Sequence, residues 1–248
     1  MVKGKYFKDW YVICTRDQTN DLTIMCNPTD KQRGLERFTR KERDEKVKNQ
    51  GYIMTFPTKK EVNFALRFET FDLPPYNKES SCNFRNILEG AVNTKTGYRL
   101  PNAHTLHNRV HIVIGGAMGD VPSASNDPIF PLHHSFVDRI YEKWLRKYNK
   151  HASVLSLYDA PIGHNKDDVI VPLFPVYTHQ QMFKKSFEFG YDYEDIDENG
   201  KSPDDEDPVK PISLGQCPVP CPVSAGPGMQ ICSWLMALML VCEIVLAD

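Results

Sequence analysis

Apolar residues recur at helical spacing in several stretches of the chain, and the clearest is 126-NDPIFPLHHSFVDRIYEKWLRKY-148. Stepped by 100° per residue, Val137, Ile140, Tyr141, Trp144, Leu145 and Tyr148 form one buried stripe. Arg139, Glu142, Lys143 and Arg146 form the opposite, wet face. Asp127 or Asn126 is a natural cap and Pro128 suits a first helical position. Pro131 as a fourth helical residue would crowd the carbonyl of Asp127, so the alternative start is Pro131 itself. In 56-FPTKKEVNFALRFETFDLPPY-76, Thr58 caps one helix that Pro74 and Pro75 stop. A shorter helix ends near Gly90 in NFRNILEG, and YFKDWYVICTR has a short helical pattern. The run RFTRKERDEKVKNQ reads as a solvated face or loop. Prolines and a glycine make residues 151–177 irregular. The class predicted is mainly α, with long loops wrapped on a helical core.

From residue 191 the pattern fades. YDYEDIDENGKSPDDEDP is acidic, and residues 208–228 are rich in proline and glycine, a composition that cannot bury enough apolar surface to fold. The expected organisation is a folded domain over 1–190, a disordered linker over 191–228 and an apolar helix over 229–247. That last run is apolar all round rather than along a stripe, which favours a membrane, yet it carries Glu243 and falls short of the about 20 residues a span needs. It reads as a marginal or truncated transmembrane helix, with a buried helix as the alternative. The opening MVKGKYFKDWYVICTR has no apolar stretch of signal-peptide length, so secretion is not expected of it.

Composition narrows the function classes. With 30 basic and 32 acidic side chains the formal charge is −2, which gives no field to draw in nucleic acid. Of seven cysteines, Cys14 and Cys26 bracket a short polar loop. They suit a local disulfide worth about 3 kcal/mol, or are two unrelated buried thiols.

The chemistry-bearing residues are histidines. His104, His107, His111, His133 and His134 fall close together, and HNRVH sets His107 and His111 at i and i+4, on one side of a helix. Without Glu in second place this is not the HExxH of zinc peptidases. A three-imidazole site would draw its third ligand from the HH pair, and such a set suits copper, zinc or iron. His133 and His134 flank the apolar stripe on opposite margins, so they do not easily serve one metal, and the wheel does not rank them. Asp138, four residues after His134, either holds a ligating ring through its second nitrogen or is an exposed acid.

HNRVH, NDPIFPLHHSFVDRIYEKWLRKY and DAPIGHN together resemble the second copper-binding half of the vertebrate-type tyrosinases. The likeness runs from about Tyr6 through GYDY at 190–193 and on into the linker and tail. It implies part of a type 3 copper helical-bundle core, in which two copper ions, each held by three histidines, take up dioxygen and oxidise monophenols and o-diphenols such as tyrosine and DOPA to o-quinones, as in melanin synthesis. By the same resemblance the ligands of the second copper are His107, His111 and His134, with His133 a structural neighbour. Glu89 and Asn108 orient a water that takes the phenol proton. Phe130 stands at the substrate mouth, and residues 112–121, from Ile112 to Val121, line the phenol's approach. The full-length relative would be membrane-anchored on the lumenal side of a melanosome or another secretory-pathway organelle.

Three features depart from the family pattern. No histidine cluster precedes residue 104 to supply the first copper, Pro131 replaces a large apolar residue, and no glycosylation sequon is present. The resemblance therefore implies a tyrosinase piece that is catalytically incomplete alone. The alternative is a non-catalytic metal-binding or interaction protein of the tyrosinase-related group, loaded with zinc, although HHSFVD favours the copper type.

Overall fold

The computed structural model describes residues 10–12, 15–16, 24–25, 33–35, 37–151, 159–171, 174–203, 205 and 210–213. The chain divides near Cys217, and the second unit, 218–248, lies outside the described residues, as does the expected membrane helix. Among the described residues no helix is long and apolar enough to cross a membrane. Cys14 and Cys26 also lie outside them; Cys82 is disulfide-bonded.

The architecture is mainly helical. The N-terminal stretch expected as helix is instead extended: β1 (Tyr11–Val12) pairs antiparallel with β4 (Arg33–Gly34), and β2 (Thr15–Arg16) with β3 (Ile24–Met25). Aromatic and β-branched residues favour that backbone once a partner strand is at hand. The charged run forms a helix after all, α1 (Arg40–Gln50), closed by reciprocal Thr39 and Glu42 hydrogen bonds and by Gly51 in the left-handed region.

α2 (Lys59–Ala65) starts at Thr58 as expected, with a Thr58/Glu61 capping box, but ends well before Pro74. Tertiary partners take the backbone that would have continued it. Ile212 donates to the Arg67 carbonyl at 2.7 Å and accepts from Glu69 N at 3.2 Å, while Trp144 Nε1 donates to the Phe68 carbonyl at 2.6 Å. α3 (Phe84–Glu89) is capped by Asn83 and ends at Gly90, where the sequence put it. The buried Asn86 amide donates to Asn77 and Ser80 carbonyls at 2.8 and 2.6 Å, tying the preceding loop to this helix.

α4 (Leu106–Ile114), a four-residue α5 (Val121–Ala124) and α6 (Phe130–Tyr148) complete the helices. The long helix begins at Phe130 with Pro131 at its second position, which spares the carbonyl clash. Its stripe packs where expected: Trp144 is fully buried and stacks on Phe84 at 4.7 Å and 11°, with Ile140, Leu145, Phe68, Ile87 and Leu106 around them.

The wet face is the main correction. Glu142 and Lys143 are only 4% and 5% exposed, because the acidic stretch expected as linker folds onto them. Arg139 pairs with Asp195, Lys143 with Asp205, and Arg146 with both Asp192 and Glu142. Tyr191 and Tyr193 hydroxyls both donate to Asp138, at 2.9 and 2.6 Å, and Ile212 enters the core. The acids look like linker composition only while the basic face they neutralise is out of view.

Candidate metal centre

Two helices build the site. α4 is held from below by Thr105, whose hydroxyl donates to the Val92 carbonyl at 3.1 Å, and by Arg109, 2% exposed and paired with Glu61 on α2. That fixes the face bearing His107 and His111. α6 is set by Asp127, whose carboxylate is fully buried, accepts both Arg37 Nη groups and also takes Ile129 N–H at 3.0 Å. His133 and His134 follow within the first turns.

The four imidazoles converge. One ligating nitrogen from each of His107, His111, His133 and His134 lies within 4.8 Å of all the others. His133 lies parallel to His107 at 5.2 Å and edge-on to His111 and His134 at 4.9 and 5.3 Å. His133 and His134 flank the stripe on opposite margins, as expected, yet their rings lie in one group with His107 and His111. The packing of α4 against the head of α6 sets His107 and His111 within 4.9–5.6 Å of both rings. His104 stays outside the group, against the Tyr52 ring at 4.8 Å.

The nitrogens fit a metal. His111 Nδ1 donates to the Met118 carbonyl at 2.8 Å, which commits its proton and leaves Nε2 a lone pair 3.1 Å from His107 Nε2. Met118 is held over the ring by the turn at Gly115, whose positive φ and lack of a Cβ let the Phe38 ring sit against it. His133 Nε2 and His134 Nε2 are buried with no protein partner. Each such orphan costs about 1–3 kcal/mol in a fold without a ligand there. Burial lowers the pKa of His111 and His134, and pushes His133 down to about 3, with the neighbouring rings adding to it. Neutral imidazoles are the form that binds metal.

Glu89 sits at the end of α3 with its carboxylate 3.4 Å from His107 Nδ1. The His107 ring and a hydrogen bond from Asn108 hold its pKa below the usual range. Both residues border the histidines. A cavity of about 520 Å³ opens there, lined by Glu89, His107, His134, Phe84, Tyr141 and Arg85. A larger apolar groove of about 670 Å³, with Val110, Ile114, Leu132 and Phe136, reaches His133 from another side. Phe130 stacks on the His134 ring at 4.0 Å. Ile112 is half-buried on α4 beside His111, and Val121 is 89% exposed at the start of α5; neither borders these two cavities. Asp138 spends its carboxylate on Tyr191 and Tyr193, so it anchors the GYDY segment. DAPIGHN closes on itself through the Asn165 amide and Asp168, as a scaffold loop.

An all-imidazole cluster on two helices, with a carboxylate beside one ring, marks a helical protein whose histidines fit a copper site. Comparison with known proteins agrees. The family described as the common central domain of tyrosinase matches residues 2–147, and the chain belongs to that family. It is 35% identical over 196 residues to tyrosinase of Gallus gallus, which covers 79% of this chain and 36% of that protein. Tyrosinase of Bos taurus is 35% identical over 191 residues, 77% of this chain and 35% of that one. The 5,6-dihydroxyindole-2-carboxylic acid oxidase of Mus musculus is 34% identical over 192 residues, 76% and 34%. The chain thus spans about a third of the length of the curated relatives it matches.

Proposed function

We propose that this chain supplies the second copper site of a phenol-oxidising tyrosinase. The observation that carries the reading is the convergence of imidazoles on α4 and α6, with the Nε2 atoms of His133 and His134 buried and satisfied by no protein group. His107, His111 and His134 hold the copper. Copper held there would, paired with a second copper from outside these residues, supply dioxygen binding and the two-electron oxidation of the phenol. The protein's own part is positioning and proton transfer. Glu89, held ionised beside His107, takes the phenol proton through one water, and the Asn108 amide orients that water and the carboxylate. A phenol ring enters the cavity bordered by Glu89, His107 and His134 against Phe84 and Tyr141. Phe130 steadies His134 at the substrate mouth.

The substrates in this reading are monophenols and o-diphenols such as tyrosine and DOPA, oxidised with dioxygen to o-quinones for melanin. The apolar 229–247 tail anchors the protein to a lumenal membrane face; its all-round apolar character supports that. The test is to load the full chain with copper, measure bound metal per chain, and follow L-DOPA oxidation alone and with a tyrosinase N-terminal half added. Copper retention lost in His134→Ala supports the site. A chain that holds no copper under any condition overturns it.

A further inference from the structure

Building on the reading of the cavity beside Glu89 as the phenol site, we propose that Arg85 receives a carboxylate on the substrate's side chain, so that the site selects phenols carrying an acid group. Arg85 lies on α3 and lines that cavity with Glu89, His107 and His134. Its side chain keeps 28% of its surface open. Nε donates to Asp72 at 2.8 Å, and among the described residues neither Nη group has an acceptor. That free edge is the one a carboxylate matches best, because Nη1 and Nη2 donate in parallel to its two oxygens. Arg146, which ties α6 to the acidic cover, spends the same edge on the Ile196 carbonyl, Ser186 and Asp192.

The spacing suits a phenol. Arg85 and Glu89 stand at i and i+4 on α3, about 6 Å apart along the axis, comparable with the length of a phenol from its hydroxyl to its para carbon. A hydroxyl held at the Glu89 and His107 end therefore sends a para side chain toward Arg85, where a short acid chain brings its oxygens to the guanidinium. The charge of Arg85 reaches that same end, as one of the groups that hold the Glu89 carboxyl below its usual range. Arg85 carries the one guanidinium or ammonium among the residues lining the cavity, and Phe71, Leu88 and Val137 make the wall around it apolar. The second carboxylate there, Asp138, already accepts from the Tyr191 and Tyr193 hydroxyls. An acid group entering the cavity thus has a single cationic partner, in surroundings where a charge-assisted hydrogen bond is strong.

The experiment measures binding, by NMR titration, to the full chain loaded with Zn2+, which does not oxidise the ligand. The probes are three o-diphenols that differ only in the side chain: L-DOPA, 3,4-dihydroxyphenylpropionate and dopamine. The wild type is expected to bind the two acids about tenfold more tightly than dopamine. Arg85→Gln should weaken both acids by about tenfold and leave dopamine within about twofold, and Arg85→Lys should recover part of the loss. Asp72→Asn separates ligand contact from scaffold. It takes the ion pair from Arg85 but leaves the Nη edge, so the preference for acids should persist, and its disappearance there overturns the proposal. Should Arg85→Gln fail to fold, the wild type decides alone, because dopamine bound as tightly as the acids overturns the proposal. Equal weakening of all three probes in Arg85→Gln, the mark of a structural role, does the same. Each of these results leaves the phenol site standing, whereas a wild type that binds none of the diphenols overturns both.

Discussion

Replacing Asp127 tests how the metal centre is held in place. The carboxylate is fully buried and takes three hydrogen bonds, two from the Arg37 guanidinium and one from Ile129 N–H, just where the chain turns into α6. Asp127→Ala takes the carboxylate partner from the guanidinium and removes an acceptor from the helix start. Breaking a buried ion pair by deleting one member costs about 3–5 kcal/mol. Arg37 keeps a quarter of its side chain in water and can turn outward, so the lower end, about 3 kcal/mol, is expected. Asp127→Asn keeps the shape and the acceptor for Ile129, and should cost about half of that. Urea denaturation measures both through the midpoint at constant slope. The double variant Arg37→Ala/Asp127→Ala should be less damaged than the sum of the singles, because both singles remove the same ion pair. Since His133 and His134 lie within the first turns after this anchor, Zn2+ affinity should fall together with stability in Asp127→Ala. A loss below about 1 kcal/mol, or additive singles, would refute the reasoning.

Other outcomes follow from the same structure. Trp144→Phe keeps the stack on Phe84 but leaves the Phe68 carbonyl without its donor, and should lower unfolding free energy by about 1–3 kcal/mol in chemical denaturation. A Cβ at Gly90 would meet the Thr105 carbonyl at 2.2 Å at a φ of +102°, so Gly90→Ala should destabilise the α3–α4 connection and weaken metal binding, measured by thermal melting with and without zinc. Burial raises the Glu61 pKa, but hydrogen bonds from Arg109 and Thr58 outweigh it and bring the group to about 2. Because the folded value lies below the unfolded one, its stabilisation is full above about pH 4.5 and is lost as pH falls toward 2, by at most about 2 kcal/mol after solvent screening. Glu61→Gln should flatten that part of the stability–pH curve.

The helix start and stop signals show where sequence reading works. Thr58 with Glu61, Asn83 and Gly90 each act locally, through side chains or backbone freedom within a turn, and the structure uses each as the sequence implied. Where a helix ends for lack of a local breaker, the sequence is silent. α2 stops because Ile212 and Trp144, far along the chain, claim the carbonyls of Arg67 and Phe68. The acidic stretch is the same case. Asp192, Asp195 and Asp205 have the composition of a solvated linker, and only the basic face of α6 reveals them as a fitted cover.

For the site, the amino-acid sequence determined the HxxxH face of α4, the adjacent pair at the head of α6 and the family they belong to, because those depend on spacing along a single helix and on motifs. It could not rank His133 against His134, since a helix wheel carries no information about what crosses it. The packing of α4 against α6 brings both rings around His107 and His111 and leaves His104 outside. Nitrogens from two helices meet at one point only through tertiary packing, which spacing along a single helix does not encode.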